Sequence, residues 1–251
     1  MNELHESNRT CWNSWSESWS KRTEKRNLWK KCLHDPSLVF SLNEMRHLNE
    51  IQNKEVCVLG SGDNEAVFAL TGMGAFVTSV DISECQLATA RERADKLGLK
   101  ICFIRADVTD LACLDDGMFD LVYTGGHMSV WISDIERYYR EAVRILKSGG
   151  YFLINEYHPV RRMWHESDGP KPGNRYFHRG PYTYRTEGGM SQYEFHWTVA
   201  DHIQAVIDAG CSIEAVDEHG ENDPAEEYEK WVPASLPLYL LICGRASGRY
   251  R

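Results

Sequence analysis

The sequence predicts an α/β fold: a doubly wound, mostly parallel sheet. Three observations carry that expectation. The stretch Glu55-Val-Cys-Val-Leu-Gly-Ser-Gly-Asp-Asn64 reads as strand, glycine turn, helix, because the apolar run Val56 to Leu59 stops at Gly60-Ser61-Gly62 and a helix-compatible segment follows from Glu65. A second apolar run ends in an acid, Asp81, about 20 residues further on, the spacing of a ribose-binding carboxylate behind such a turn. Strand-like and helix-like segments then keep alternating over 55–155, the rhythm of parallel crossovers.

The glycines matter through clearance. Without Cβ the backbone turns sharply and lets a ligand lie against it, and the helix that follows offers free N–H groups to a polar or anionic ligand. Short glycine turns occur in many α/β proteins; the acid at the right spacing is what points to a nucleotide, since a carboxylate at a strand's end accepts both ribose hydroxyls.

Size and composition narrow the classes. A chain of 251 residues with 42% hydrophobic content suits one α/β domain, with or without a sizeable insertion. A net charge of −9 argues against nucleic acid as a partner and for a small-molecule substrate. The eight cysteines form no Cys-x-x-Cys pair, and Cys57, Cys102 and Cys243 sit inside apolar runs. That predicts reduced, packed thiols, with neither disulfides nor a zinc site. The polar, charged first 35 residues predict no secretory leader, and no apolar run approaches a membrane span. The expected location is cytoplasmic, with no membrane partner. The oligomeric state is not legible.

Taken in order, residues 1–50 are expected to form a helical arm. Trp12, Trp15 and Trp19 fall at i, i+3 and i+7 on one face. Two readings stand: an arm packed on the domain, or a lid whose aromatics, Trp15 among them, close over a ligand. Residues 51–251 form the main domain. Strands are expected at 55–59, 76–81, 100–105, 118–123 and 151–155. Ser83 caps a helix from Glu84 to Leu97 that Gly98 ends. A further helix runs from Asp134 to Leu146 and closes at Gly149-Gly150.

Residues 157–196 break the rhythm. They are rich in Pro, Gly, His and aromatics, and a structureless loop of that length is unexpected inside a compact domain. The segment reads as an inserted substrate cap containing a small antiparallel sheet. Its cations, Arg161 and Arg162 among them, suit an anionic substrate group or a solvated surface. Its aromatics, Trp164 included, suit a planar substrate or the cap's own core. His158, His165, His178 and His196 do not have the spacing of a compact zinc motif, so no metal is expected. Regular structure resumes with a helix from Thr198 or Asp201 to Ala209, a strand over 212–217 and an apolar strand over 237–244.

The order of parts resembles the class I S-adenosylmethionine-dependent methyltransferases, over 55–155 and more weakly over 197–244. The pieces that carry the resemblance are Val58-Leu-Gly60-Ser-Gly62, Val80-Asp81-Ile-Ser, Ala106-Asp107-Val, Phe119-Asp-Leu-Val-Tyr123 and Leu146-Lys-Ser-Gly149-Gly150-Tyr-Phe-Leu-Ile. The resemblance implies a seven-stranded, Rossmann-like sheet whose last strand runs antiparallel, and S-adenosyl-L-methionine as cofactor with S-adenosyl-L-homocysteine as product. It implies that Gly60, Ser61 and Gly62 lie under the methionine and ribose, and that Asp81 holds the ribose hydroxyls. Ile82 would pack on adenine, Asp107 would accept from the adenine amine and Val108 would offer a backbone contact. Tyr123 and Thr124 would flank the methionine end. Two positions depart from the family pattern: Val58 stands where an acid is frequent, with Asp63 as a loose substitute, and Asn64 stands for the third glycine, where its tolerance of left-handed geometry would preserve the turn.

Methyl transfer from a sulfonium is an in-line displacement, and a base is needed only if the nucleophile arrives protonated. The candidates leave the fourth and fifth strands: His127 first, then Glu156 and His158, with Tyr157, Arg161, Trp164 and Trp15 as substrate contacts. The expected function is methylation of a small-molecule acceptor. One alternative is a nicotinamide-dependent oxidoreductase, whose G-x-G-x-x-G pattern fails at Glu65. The other is a non-catalytic cofactor-binding module on the same fold.

Overall fold

The computed structural model describes residues 2–126, 128–164, 171–220, 232–233 and 235–247. Its main sheet has seven strands: β1 (Glu55–Leu59), β2 (Phe76–Asp81), β3 (Cys102–Arg105), β4 (Phe119–Gly125), β5 (Leu146–Tyr157), β8 (Cys211–His219) and β9 (Tyr239–Ala246). Their spatial order is β3-β2-β1-β4-β5-β9-β8. The first five are parallel, and β9 runs antiparallel between β5 and β8. The order reverses between β1 and β4, and ligands of open α/β sheets bind beyond the strand C-termini at such a point.

Both faces of the sheet are covered, which explains the unbroken apolar runs of the central strands. Cys57, Leu59, Val122 and Phe152 face one core, with α6 (Ile135–Arg144) and α7 (Val199–Asp208). Val56, Val58, Leu121 and Leu153 face the other, with α2 (Leu28–Lys31), α3 (Leu42–Leu48) and α4 (Glu65–Gly72). Alternation of side chains along each strand makes this partition. The helix α5 (Glu84–Leu97) lies beside β2 and β3; Ser83 caps it by accepting from Gln86 N–H, and Gly98 ends it in the left-handed region at φ 67°. All eight cysteines are free. Cys102 is exposed, not packed as expected, because β3 is the sheet's edge strand.

The segment after β5 forms a 3-10 turn at Pro159–Met163 and an antiparallel hairpin, β6 (Tyr182–Arg185) and β7 (Ser191–Glu194). The N-terminal arm is dominated by one helix, α1 (Glu3–Arg26), which packs against β7 and α5. Asn2 caps it by accepting from His5 N–H, Glu3 and Glu6 lie in its first turn, Lys25 and Arg26 in its last, and Asn27 closes it at φ 52°. These charges complement the helix dipole at both ends. Among the described residues no helix is long and apolar enough to cross a membrane.

Candidate functional site

A cavity of about 340 Å³ lies beyond the C-terminal ends of β1 and β2, under α1. That volume falls within the usual small-molecule range of about 300–1,000 Å³. Its floor is the turn after β1. Gly60 and Gly62 both take left-handed backbone, at φ 63° and 49°. A Cβ on Gly60 would lie 2.1 Å from Met128 Cγ, so only glycine leaves that space open. Asp81 ties the turn to the end of β2: its Oδ2 accepts from Gly62 N–H at 2.7 Å and its Oδ1 from Ser83 N–H at 2.7 Å. Asn64 sits at φ −74° and caps α4 by accepting from Ala66 N–H. The turn therefore survives the missing third glycine through capping, not through the left-handed geometry anticipated for Asn64.

Three buried carboxylates face this space. Burial pushes Asp81 up to about 6, against the pull of the backbone N–H groups of Ser83 and Gly62. Burial likewise pushes Asp63 up to about 6, opposed by the Arg93 guanidinium, whose Nη1 donates to Asp63 Oδ2 at 2.9 Å. Asp63 Oδ1 has no partner among the described residues. Asp107 is buried too, yet the hydrogen bond from His5, with donors from Thr109, more than offsets burial and holds it below the ordinary range.

The roof comes from α1. His5, Asn8, Trp12, Trp19 and Arg26 all line the cavity, and Trp131, from the 3-10 turn Ser129–Trp131, meets them. Trp12 touches Trp131 edge-on at 5.3 Å, Trp19 at 6.1 Å and Trp15 at 5.4 Å between ring centroids. The helix is otherwise fastened by polar groups. Asn8 pairs with the Tyr193 backbone as a strand would, donating to its carbonyl and accepting its N–H, each at 2.8 Å. Arg93 Nη2 donates to Thr23 Oγ1 at 2.7 Å, and Ser83 Oγ donates to Asn13 Oδ1 at 2.7 Å.

Of the residues expected at the site, Gly60, Ser61, Gly62, Asp81, Ile82, Asp107, Val108 and Tyr157 line the cavity. Ser61 does so through its backbone, since its hydroxyl is 2.7 Å from Ser79 Oγ and turned into the core. Several others are not brought there. Tyr123 points to the opposite sheet face, where its hydroxyl donates to Glu44 at 2.7 Å and its ring meets Phe40, because alternation along β4 turns it away from α6. Thr124 is fully buried and donates to Leu59 O. Glu156 accepts from Ser129 N–H at 3.0 Å in a separate water-sized pocket with His196 and His202. His158 pairs with Glu218 on β8 at 2.7 Å. The Arg161 guanidinium stacks 3.7 Å over the Tyr157 ring and reaches Leu238 O. Trp164 is half-buried away from the cavity, and Trp15 backs the roof without lining it. His127 lies outside the described residues.

Sequence reasoning passed over His5, Gln86 and Trp131. His5 shares the Trp12 face seven residues earlier, so extending the tryptophan period would have found it. Gln86 carries no pattern of its own.

The site fits an adenosyl cofactor on its own chemistry. The glycine turn leaves room against the backbone, Asp81 and Asp107 offer acceptors to hydroxyl and amine donors, and the Gln86 amide is buried at the cavity wall with neither atom paired among the described residues.

A family model described as a methyltransferase domain matches residues 57–154. A protein of Bacillus subtilis named uncharacterized methyltransferase YbaJ is 26% identical over 158 residues, covering 58% of this chain and 62% of that relative. The ubiquinone/menaquinone biosynthesis C-methyltransferase UbiE of Brucella canis is 36% identical over 104 residues, covering 40% of this chain and 38% of its own length. The matches thus span less than two thirds of either relative. The crystal structure of an S-adenosylmethionine-dependent methyltransferase from Mesorhizobium loti aligns with a TM-score of 0.63 at 27% identity, over 81% of this chain and 96% of that one. Fold and site define an α/β protein with a cavity at the reversal of strand order; residues 57–154 match a methyltransferase domain, and the fold is similar to that of S-adenosylmethionine-dependent methyltransferases.

Proposed function

We infer that the protein transfers a methyl group from S-adenosylmethionine to a small-molecule acceptor. The observation that carries this is the meeting of the Gly60–Gly62 turn, Asp81 and Asp107 around one cavity where the strand order reverses. The cofactor, when bound, supplies a methyl group on a positively charged sulfur. Asp81 accepts the ribose hydroxyls, Ile82 packs on the adenine, Val108 offers its backbone and Asp107 accepts from the exocyclic amine. Asp63, with one oxygen unpaired among the described residues, takes the amino group that an acid at Val58 would otherwise have held.

The helix α1 acts as a lid. Its tryptophans exclude water and hold the acceptor in line, which is most of what methyl transfer asks of a protein. A roof of Trp12, Trp19 and Trp131 favours an acceptor with a planar or apolar body. The UbiE relative's name, a C-methyltransferase of quinone biosynthesis, is consistent with such an acceptor. His127 remains the candidate base on sequence grounds, and Tyr157 a substrate contact. Net charge −9 speaks against nucleic acid as substrate. A cytoplasmic location fits eight free cysteines.

Calorimetry with S-adenosylmethionine, S-adenosylhomocysteine and NAD tests the cofactor, and turnover on a panel of phenols, quinols and amines tests the transfer. Binding of NAD in place of the adenosyl compounds would replace this reading with the oxidoreductase one. Cofactor binding without turnover on any acceptor would favour a binding module.

A further inference from the structure

Resting on the reading that this cavity holds an adenosyl cofactor, we propose that Gln86 is a second ribose-recognising side chain. With Asp81 it forms a two-sided clamp for a nucleoside whose 2′ and 3′ hydroxyls are both free.

The case begins at the cap of α5. Gln86 is the third helical residue after Ser83, and its N–H donates to Ser83 Oγ at 3.1 Å. A glutamine at that position ordinarily turns back to bond the cap residue's own N–H. Here that N–H is already taken, because Ser83 N donates to Asp81 Oδ1 at 2.7 Å. The Gln86 amide is thereby released. It is 2% exposed, lines the cavity, and has neither Nε2 nor Oε1 paired among the described residues. Since both amide atoms lack partners among the described residues, either rotation of the amide leads to the same conclusion.

The neighbouring polar groups are engaged elsewhere. Asp81 takes one backbone N–H on each oxygen, and Ser61 is bonded to Ser79. Gln86 and Asp81 converge above the glycine turn: a Cβ placed on Gly62 would stand 3.9 Å from Gln86 Oε1 and 4.0 Å from Asp81 Oδ2. A buried amide left unpaired is costly, so its presence at a cavity wall marks a place where a ligand brings the missing partners.

The chemistry complements Asp81. A carboxylate only accepts, so it takes the hydroxyl protons of the diol and leaves the hydroxyl oxygens without a donor. The Gln86 amide supplies that donor, and its carbonyl accepts in turn. Neither side chain alone satisfies a group that both donates and accepts.

The test is calorimetry of the full chain with S-adenosylhomocysteine and its 2′-deoxy and 3′-deoxy analogues, for wild type, Gln86→Met and Gln86→Glu. Melting of the ligand-free proteins is recorded alongside. The expected result is at least fivefold weaker binding of S-adenosylhomocysteine by a folded variant, with Gln86→Met melting no lower than wild type. The penalty for one missing hydroxyl should also shrink in that variant. Gln86→Glu keeps the length without the donor, so either variant serves if the other does not fold. Binding within fivefold of wild type by a folded variant would overturn the proposal while leaving the cofactor reading intact. Failure of the wild type to bind S-adenosylhomocysteine would remove both.

Discussion

His5 Nδ1 lies 2.8 Å from Asp107 Oδ2, with both residues buried. The other ring nitrogen, Nε2, accepts from Ser133 N–H at 3.0 Å, and a backbone N–H can only donate. The proton therefore sits on Nδ1 and is given to Asp107. One imidazole thus fastens the first turn of α1 both to the proposed adenine acceptor and to the loop before α6.

His5→Ala is expected to lower stability by about 1–3 kcal/mol, the scale for a buried hydrogen bond to a charged partner. Amide exchange over the first turns of α1 should speed up more than exchange in β1 or β4. Urea unfolding and hydrogen exchange read both effects. Unchanged protection of α1 would mean that Asn8 and Arg93 hold the roof without His5.

Asp81→Ala should weaken S-adenosylhomocysteine binding by about 1.5–3 kcal/mol. Burial raises the Asp81 carboxyl to about 6, so its sign of pH dependence is fixed. Folded protein holds this proton between the ordinary carboxylate range and about 6, and the ionised group disfavours the fold as pH rises through that window. Ligand binding runs the opposite way, because only the ionised form accepts both hydroxyls. Affinity should fall below about pH 6, and Asp81→Asn should show a shallower fall, with Asp63 supplying what dependence remains. Equal pH profiles in the two proteins would remove Asp81 from the ribose role.

Glu156 is buried in its own pocket, and burial pushes it up to about 7. Its folded value lies above its ordinary one, so stability is lost as pH rises from about 4.5 to 7. Glu156→Gln should remove that loss, gaining up to about 3 kcal/mol at pH 8 and little at pH 4.5. Denaturant unfolding at the two pH values measures it. A variant that loses turnover with unaltered stability profiles would instead return Glu156 to the catalytic role expected from the sequence.

Gly60→Ala combines a left-handed backbone with the Met128 side chain in the new methyl group's place. The backbone contribution is about 1–2 kcal/mol, and the displaced Met128 adds to it and narrows the cavity. Lower melting together with weaker cofactor binding is expected. Full affinity in this variant would show that the turn tolerates a side chain and that clearance there is not the reason for glycine.

Much of the fold was readable before any coordinates. The alternation of Val56, Cys57, Val58 and Leu59, the caps at Ser83 and Gly98, and the spacing from Gly60 to Asp81 are local properties, set by backbone sterics, side-chain period and hydrogen bonds within a few residues. They determined a parallel sheet with a glycine turn after its first strand and an acid at the end of its second. Other matters depended on which atoms meet across long separations. Tyr123, Thr124, Glu156 and His158 all stand near strand ends in the sequence, yet strand alternation and partners on other elements turn them into the core or toward β8. His5 and Asp107 are far apart along the chain, and only the packing of α1 over β7 and α5 brings them together. Gln86 looks like an ordinary capping residue until Asp81 claims the N–H it would have used. Local rules thus decided the scaffold and the acids at its strand ends, while competition among distant hydrogen-bonding groups decided which side chains face the cavity.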